Sequence, residues 1–470
     1  MIKKFLMKVL IENIGKIVSG DWEKGIINGD SVLIEDGKFS KIGFRDEVNT
    51  NKSEIKVTID ADGMILIPGY IDPHTHISIG EYAPMQRMVG ILEEGLLNGI
   101  TTVMDEFNQF EGLPLFYPPD PEGVKATAIM TYKAWKNYRP GDLMKVHAGS
   151  ITLVKGLKEE DFKELSKIGI WKVAQIGGSS DLKPAELLEM ASWARKYGMF
   201  IPTNFGAGVL KGAVYLDADF VKNLQPDKLA HANGGSTAAP WDLTREVIDA
   251  ASKAAVELVP YGNLKMGLRV IDYLKSKNEL KRLIVGSDTP TGQGYFPIAV
   301  QQAVKFFSSL GNIPAPQAIA MATGNIQETY KKWINTGKIQ EGFEADCLII
   351  DKPPGSVGTD ALGAIENGDM VGTAMVMVDG KIVALRGRDS RPTTKYIKLN
   401  GKELGVKGPN EALFDPPRFY WKSTGETCYF QVISNIFRRL NFLSHLLLFL
   451  CCFFPAKLKQ NMIRCLFPHL

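Results

Sequence analysis

A chain of 470 residues, 45% hydrophobic and 23% charged, is too long for one compact core and too apolar for an intrinsically disordered polymer, so two or three folding units are expected. Its net charge of +3 is carried at one end: Arg418 to Leu470 holds seven Lys or Arg against one Asp or Glu, and +3 less this +6 leaves −3 on the preceding 417 residues, no basis for a nucleic-acid partner. Cys347 is the only cysteine before residue 428, which argues against a disulfide framework and for a reducing, cytoplasmic setting.

In the first eleven residues lysines precede an apolar run. Lys8 interrupts that run and no small-residue cleavage site follows soon after it, so the segment reads as the approach to a strand at 8–12 rather than a secretory leader. Short strands with polar turns continue to residue 65. Asp36-Gly37, between Asp30-Ser-Val-Leu-Ile-Glu35 and Lys38-Phe-Ser-Lys-Ile42, is a strong hairpin signal, because such turns need positive φ.

Leu66-Ile-Pro-Gly-Tyr-Ile-Asp-Pro-His-Thr-His76 follows, an apolar run ending in two histidines one residue apart. In a strand, side chains alternate faces at about 3.3 Å per residue, so His74 and His76 point the same way and can converge on one metal ion. A lone pair of this kind is more often incidental. Here the 417 residues before Arg418 hold only four histidines, His74, His76, His147 and His231.

From 66 to 332, short runs rich in Ile, Val and Thr alternate with amphipathic stretches of helical length. The expected strands are 66–76, 101–106, 125–131, 169–176, 199–204, 228–232, 256–261 and 282–288, with helices between them, for example at 83–97, 183–197, 244–253 and 264–277. Eight such units predict an α/β chain with a closed (β/α)8, TIM-like barrel, whose active site forms at the C-terminal ends of the strands. His74 and His76 end the first strand, Gln175 the fourth and Asn204 the fifth, His231 lies on the sixth, and Asp288 ends the eighth. All six therefore ring one mouth. The glycines of Gly286-Ser-Asp-Thr-Pro-Thr-Gly-Gln-Gly294 lack the lysine and spacing of a phosphate loop.

Beyond the barrel, Asp346-Cys-Leu-Ile-Ile-Asp351 and Ala374-Met-Val-Met-Val-Asp-Gly-Lys-Ile-Val-Ala384 again turn at Asp-Gly. Neither 333–395 nor 1–65 can bury both faces of a sheet alone, so one small β-sandwich built from both is expected, with the barrel inserted between. Residues 396–470 form a C-terminal extension with an apolar segment at 440–455, shorter than the ~20 residues a spanning helix needs. Membrane association, docking on a partner, and an extension outside the functional domain are the readings of this segment, the last preferred.

The ordered set Pro68-Gly-Tyr-Ile-Asp-Pro-His-Thr-His76, a distal histidine, Gly286-Ser-Asp-Thr-Pro290, Met321-Ala-Thr-Gly-Asn325 and Glu341-Gly-Phe-Glu-Ala-Asp346 resembles the amidohydrolase superfamily over roughly residues 8 to 390. Lys145-Val-His147-Ala-Gly, Glu159-Glu-Asp-Phe162, His231-Ala-Asn-Gly-Gly235 and Asp351-Lys-Pro-Pro-Gly-Ser-Val357 are similar to its enamidase branch, hydrolases of cyclic amides. The resemblance implies metal-dependent hydrolysis of a C–N bond in a small molecule. His74, His76, His231 and Asp288 would bind a divalent ion, commonly zinc, which acidifies a bound water toward a pKa of about 7. Asp288 would act as general base and then acid, and the ion or His231 would stabilise the oxyanion. A substrate carboxylate would dock on Lys133, Lys136 or Arg139 after the third strand, for which a solvated basic loop is the plain alternative, and His147 reads equally as a substrate contact or a packed structural histidine. A homo-oligomer is implied by resemblance only.

Two positions depart from the superfamily. Gln175 stands where relatives have a bridging glutamate or a carboxylated lysine, and Asn204 where they have a histidine. Neutral amide oxygens are weak zinc ligands, and Gln175 brings no charge to offset two cations about 3.5–4 Å apart, so one ion is expected and a second is short of ligands. Lys172, three residues before Gln175, falls on the opposite strand face by period-two alternation and is not expected to substitute. Two classes of function remain: a hydrolase of cyclic amides, and a catalytically silent barrel serving as a binding or assembly module. The retained histidine pair and Asp288 favour the first.

Overall fold

The computed structural model describes residues 8–48, 54–76, 91–106, 118–136, 144–177, 182–205, 216–235, 237–289, 294–386 and 391–404, all within one compact unit spanning 1–420. Arg139 and the apolar segment 440–455 lie outside the described residues. Among the described residues no helix is long and apolar enough to cross a membrane.

The chain opens with β1 (Lys8–Glu12), β2 (Lys16–Val18), β3 (Ile26–Ile27), β4 (Ser31–Glu35), β5 (Lys38–Gly43), β6 (Ile55–Asp60) and β7 (Ile65–Pro68). Strands and helices then alternate. The strands are β8 (Tyr70–Thr75), β9 (Ile100–Asp105), β10 (Lys145–His147), β11 (Pro202–Asn204), β12 (Lys228–Ala230), β13 (Ala255–Leu258) and β14 (Leu283–Val285). The helices are α1 (Ile91–Leu97), α2 (Pro121–Lys136), α3 (Glu159–Ile168), α4 (Pro184–Lys196), α5 (Ala218–Leu224), α6 (Trp241–Ala250), α7 (Leu264–Ser276), α8 (Phe296–Ser309), α9 (Ala315–Met321) and α10 (Gly324–Tyr330). Last come β15 (Cys347–Asp351), α11 (Ala361–Glu366), β16 (Gly372–Val378), β17 (Lys381–Leu385), β18 (Ile397–Leu399) and β19 (Lys402–Leu404).

Both chain ends contribute to two six-stranded sheets, ordered β19-β18-β6-β1-β4-β5 and β17-β16-β15-β7-β2-β3. Val9, Ile11, Ile34 and Ile59 of the first share one apolar cluster with Leu66, Cys347, Ile349, Met375 and Met377 of the second. The alternate residues Ile65, Ile67, Leu348, Ile350, Val376 and Val378 turn the other way and join a larger cluster with Leu96, Val103, Leu229 and Phe296. The second sheet is thus buried on both faces, which is why its strands read as continuous apolar runs. Residues 397–404, expected in the extension, add to the edge of the first sheet through β6.

In the middle of the chain, parallel pairing builds a three-stranded sheet, β10-β9-β8, and a four-stranded one, β11-β12-β13-β14. Isolated parallel bridges link Ile151 to Val173, Lys172 to Phe200 and Ile176 to Thr203, and a further one links Thr75 to Thr289. Two expectations are corrected here. The strand expected at 125–131 is part of α2, whose buried Val124, Thr127, Ala128 and Thr131 recur at helical spacing. The stretch 172–176 pairs with 200–203 through single bridges, four steps on one side against three on the other. This extra residue acts like a bulge and breaks the alternation between Lys172 and Gln175. Lys172 is accordingly buried in the interior, where its Nζ donates to the carbonyl of Asp105 and burial pushes its ammonium down to about 8.

Candidate active site

The end of β8 and the segment after β14 are laced together by their backbones. The N–H of Asp288 donates to the carbonyl of His74 at 2.9 Å, and that of His76 to Thr289 at 2.8 Å. Asp288 has a φ of 53°, in the left-handed region that costs a non-glycine residue energy, and such residues cluster at functional sites. Its Oδ1 lies 3.1 Å from Nε2 of His76 and 3.3 Å from Nε2 of His74. One donor atom from each of the three residues falls within 4.8 Å of the others, so three of the four expected ligands are brought together.

The other nitrogen of His74, Nδ1, lies 2.6 Å from Glu257 Oε2. An ionised carboxylate only accepts, so Nδ1 carries the proton and Nε2 faces Asp288. Nε2 is also 3.0 Å from Gln175 Nε2, and Gln175 Oε1 accepts from Asn204 Nδ2 at 3.3 Å. The His231 ring is centred 5.5 Å from that of His74, and its Nδ1 donates to the Phe205 carbonyl, leaving Nε2 as its acceptor. His231 also has positive φ, 34°. All six residues expected at one mouth are therefore contiguous.

Burial and charge compete at each group. Burial lowers the pKa of His76 and of His231. For His74 burial works in the same direction, but the carboxylates of Glu257 and Asp288 outweigh it and raise the pKa above the usual value. Burial would raise Asp288, yet the charge on His74 and the hydrogen bond from His76 hold it well below the carboxylate range. Glu257, likewise opposed by burial, is held at about 2 by His74 and Lys228. Asp72, which accepts backbone N–H groups from His74 and Ser287, is pushed up to about 6 by burial.

Of the expected substrate residues that are described, Lys133 and His147 are placed elsewhere. Lys133 is exposed on α2, not on a loop after a strand, because the third strand is β10. His147 ends β10 and lies 6.2 Å from Trp171, ring to ring. It lines a cleft of about 620 Å³ with Tyr132, Lys145 and Trp333, whose lining includes none of the six. Sequence reasoning missed Glu257, Lys228 and Glu106, which underlie His74 with at most 1% side-chain exposure. A signal was present at Glu257, a lone charge inside an apolar strand, whereas Lys228 and Glu106 sit beside Asp227 and Asp105 and do not stand out.

The donor set fits one divalent ion. Two imidazoles and a carboxylate make a three-ligand zinc-type site with a further position open, and the carboxylate on the remote nitrogen of His74 is the outer partner that ligating histidines usually have. Gln175 and Asn204 are neutral and bonded to each other, so the charge a second ion requires is missing.

The sequence profile of the amidohydrolase family matches residues 65–383. The chain belongs to the amidohydrolase family. Among its relatives in that family, the enamidase of Eubacterium barkeri is 36% identical over 396 residues, covering 84% of this chain and all of the relative. The crystal structure of an enamidase superposes with a TM-score of 0.78 at 36% identity, over 83% of this chain and 100% of that one. D-hydantoinase, at 17% identity and a TM-score of 0.57 over 80% and 95% of the two chains, shares the fold. This amidohydrolase thus has the TIM-barrel-type, mixed α/β fold of its superfamily.

Proposed function

We propose that this amidohydrolase is a metal-dependent hydrolase of a non-peptide C–N bond in a small cyclic amide, using one divalent ion, zinc being the choice for this ligand set. The convergence of His74, His76 and Asp288 carries the reading, and the likeness to enamidase supports the substrate class. When bound, the ion polarises the scissile carbonyl and acidifies a water. The chain supplies the rest. His74 and His76 hold the ion from the strand end. Asp288, ionised at neutral pH, takes the proton of the attacking water and returns it to the leaving nitrogen, a role worth about 10²–10⁴-fold in rate. His231 lies beside the triad, where the lone pair on its Nε2 would serve as a further ligand to the ion.

The finer scaffold belongs to the same reading. The two parallel sheets and the four bridges between them support eight staves closed into a (β/α)8 barrel over 66–332, inserted in a β-sandwich drawn from both chain ends. A single buried cysteine among the described residues supports a reducing, cytoplasmic setting.

One observation favours the silent-barrel alternative: the Gln175 amide already occupies the lone pair of His74 Nε2. Metal analysis of the purified chain separates the two. About one equivalent of zinc, iron or manganese is expected. Less than about a tenth of an equivalent, with no gain on reconstitution, would sink the hydrolase reading.

A further inference from the structure

We propose that Glu257 is the positioning residue of this metal centre, holding His74 in one tautomer and one orientation from beneath the barrel mouth. The inference rests on the reading of His74, His76 and Asp288 as the ligands of a divalent ion. Oε2 of Glu257 accepts Nδ1–H of His74 at 2.6 Å and the backbone N–H of His231 at 3.1 Å. Oε1 accepts from Lys228 Nζ at 3.0 Å, and the same ammonium donates to Glu106 Oε1 at 2.8 Å and to the Pro73 carbonyl at 3.2 Å. A single carboxylate on β13 thus reaches the ring of one candidate ligand and the backbone of another.

Three physical consequences follow from this arrangement. Donation of Nδ1–H to an anion leaves Nε2 as the only lone pair on His74 and stops the ring from turning about its last torsion. The negative charge behind the ring strengthens Nε2 as a donor to a cation, the usual effect of an outer carboxylate on a ligating histidine. Lys228 makes the anion tolerable where water cannot reach it, because an unpaired carboxylate in that place would be costly or would take up a proton. Lys228 is shared between the side chains of Glu106 and Glu257. Gly286 shows how closely the pair is fitted: a Cβ there would meet both Glu257 Oε1 and His74 Cβ at 2.7 Å.

The full-length Glu257→Gln and Glu257→Ala proteins would be compared with the parent by competition titration of zinc against a chromophoric chelator and by the visible spectrum of the cobalt(II)-loaded forms. A loss of about 10–100-fold in zinc affinity and a changed cobalt spectrum are expected, with far-UV circular dichroism unaltered. Affinity within twofold of the parent in a folded variant overturns the inference. Should neither variant fold, nitrogen-15 NMR of the zinc-loaded parent decides: a proton on His74 Nδ1 supports the assignment, and a proton on Nε2 overturns it. A parent chain that takes up no zinc or cobalt overturns the hydrolase reading itself. A zinc-binding parent with an indifferent Glu257→Gln variant overturns only the role given to Glu257.

Discussion

His74 is bonded on both nitrogens, and that governs how the centre responds to pH. In the metal-free protein its pKa lies above the usual imidazole value because Glu257 and Asp288 favour the imidazolium against burial. A raised folded-state pKa means the charged ring adds stability below the unfolded pKa, and this contribution is lost as pH rises through the folded one. Zinc needs the neutral ring, so its affinity has the opposite slope. We expect affinity to rise about tenfold per pH unit until the His74 pKa is passed and then to level off. Calorimetry in two buffers of different ionisation enthalpy would count the displaced proton, and zero protons released on the acid side would show the ring already neutral. At the neighbouring pair, Gln175→Glu with Asn204→His restores a charge and an imidazole. Bound metal should then move from one toward two equivalents; an unchanged content would refute the placing of these residues beside the ion.

Among the elements, β10 is the one whose anchoring is easiest to test. Lys145 reaches out of it to Glu344 at 2.6 Å, Asp346 at 2.7 Å and Asp379 at 2.7 Å, and so ties a strand of the parallel sheet to the C-terminal sheet region. Asp346 is fully buried, and burial raises its pKa even with the lysine present. Lys145→Met takes the cation from that carboxyl and leaves it only the hydrogen bonds from Thr336 and the Asp379 N–H, and a loss of about 3 kcal/mol is expected from urea unfolding followed by circular dichroism. A loss below about 1 kcal/mol would mean that Asp346 finds water or a proton at little cost. The same part of the chain shows where pattern reading fails. Lys-Val-His is too short and polar to announce a strand, whereas Thr127 and Thr131, polar by composition, sit on the buried face of α2. Counting only aliphatic residues in 125–131 hides the helical period. Over 172–176 a one-residue irregularity in the bridges likewise breaks the alternation at Lys172, which no alternation rule foresees.

Taken whole, the described chain is one compact unit ending before the basic, cysteine-containing tail. Removing Arg418 to Leu470 should leave a soluble protein with the parent's far-UV spectrum and metal content. Aggregation of the shortened chain in size-exclusion chromatography would instead assign the tail a structural role.

The sequence by itself determined what depends on neighbours along the chain. Period-two alternation puts His74 and His76 on one face, Asp-Gly marks the hairpins, and the order of motifs places Asp288 at the far end of the repeat and identifies the superfamily. Tertiary structure decided what depends on register and closure. Glu257 lies 183 residues from the ring it holds, Lys228 is 122 residues from Glu106, and Asp288 meets His76 across 212 residues. Such contacts arise only when strands from both halves of the chain are brought to the same height in one interior, and there the low dielectric makes each buried charge demand a partner that no local pattern specifies.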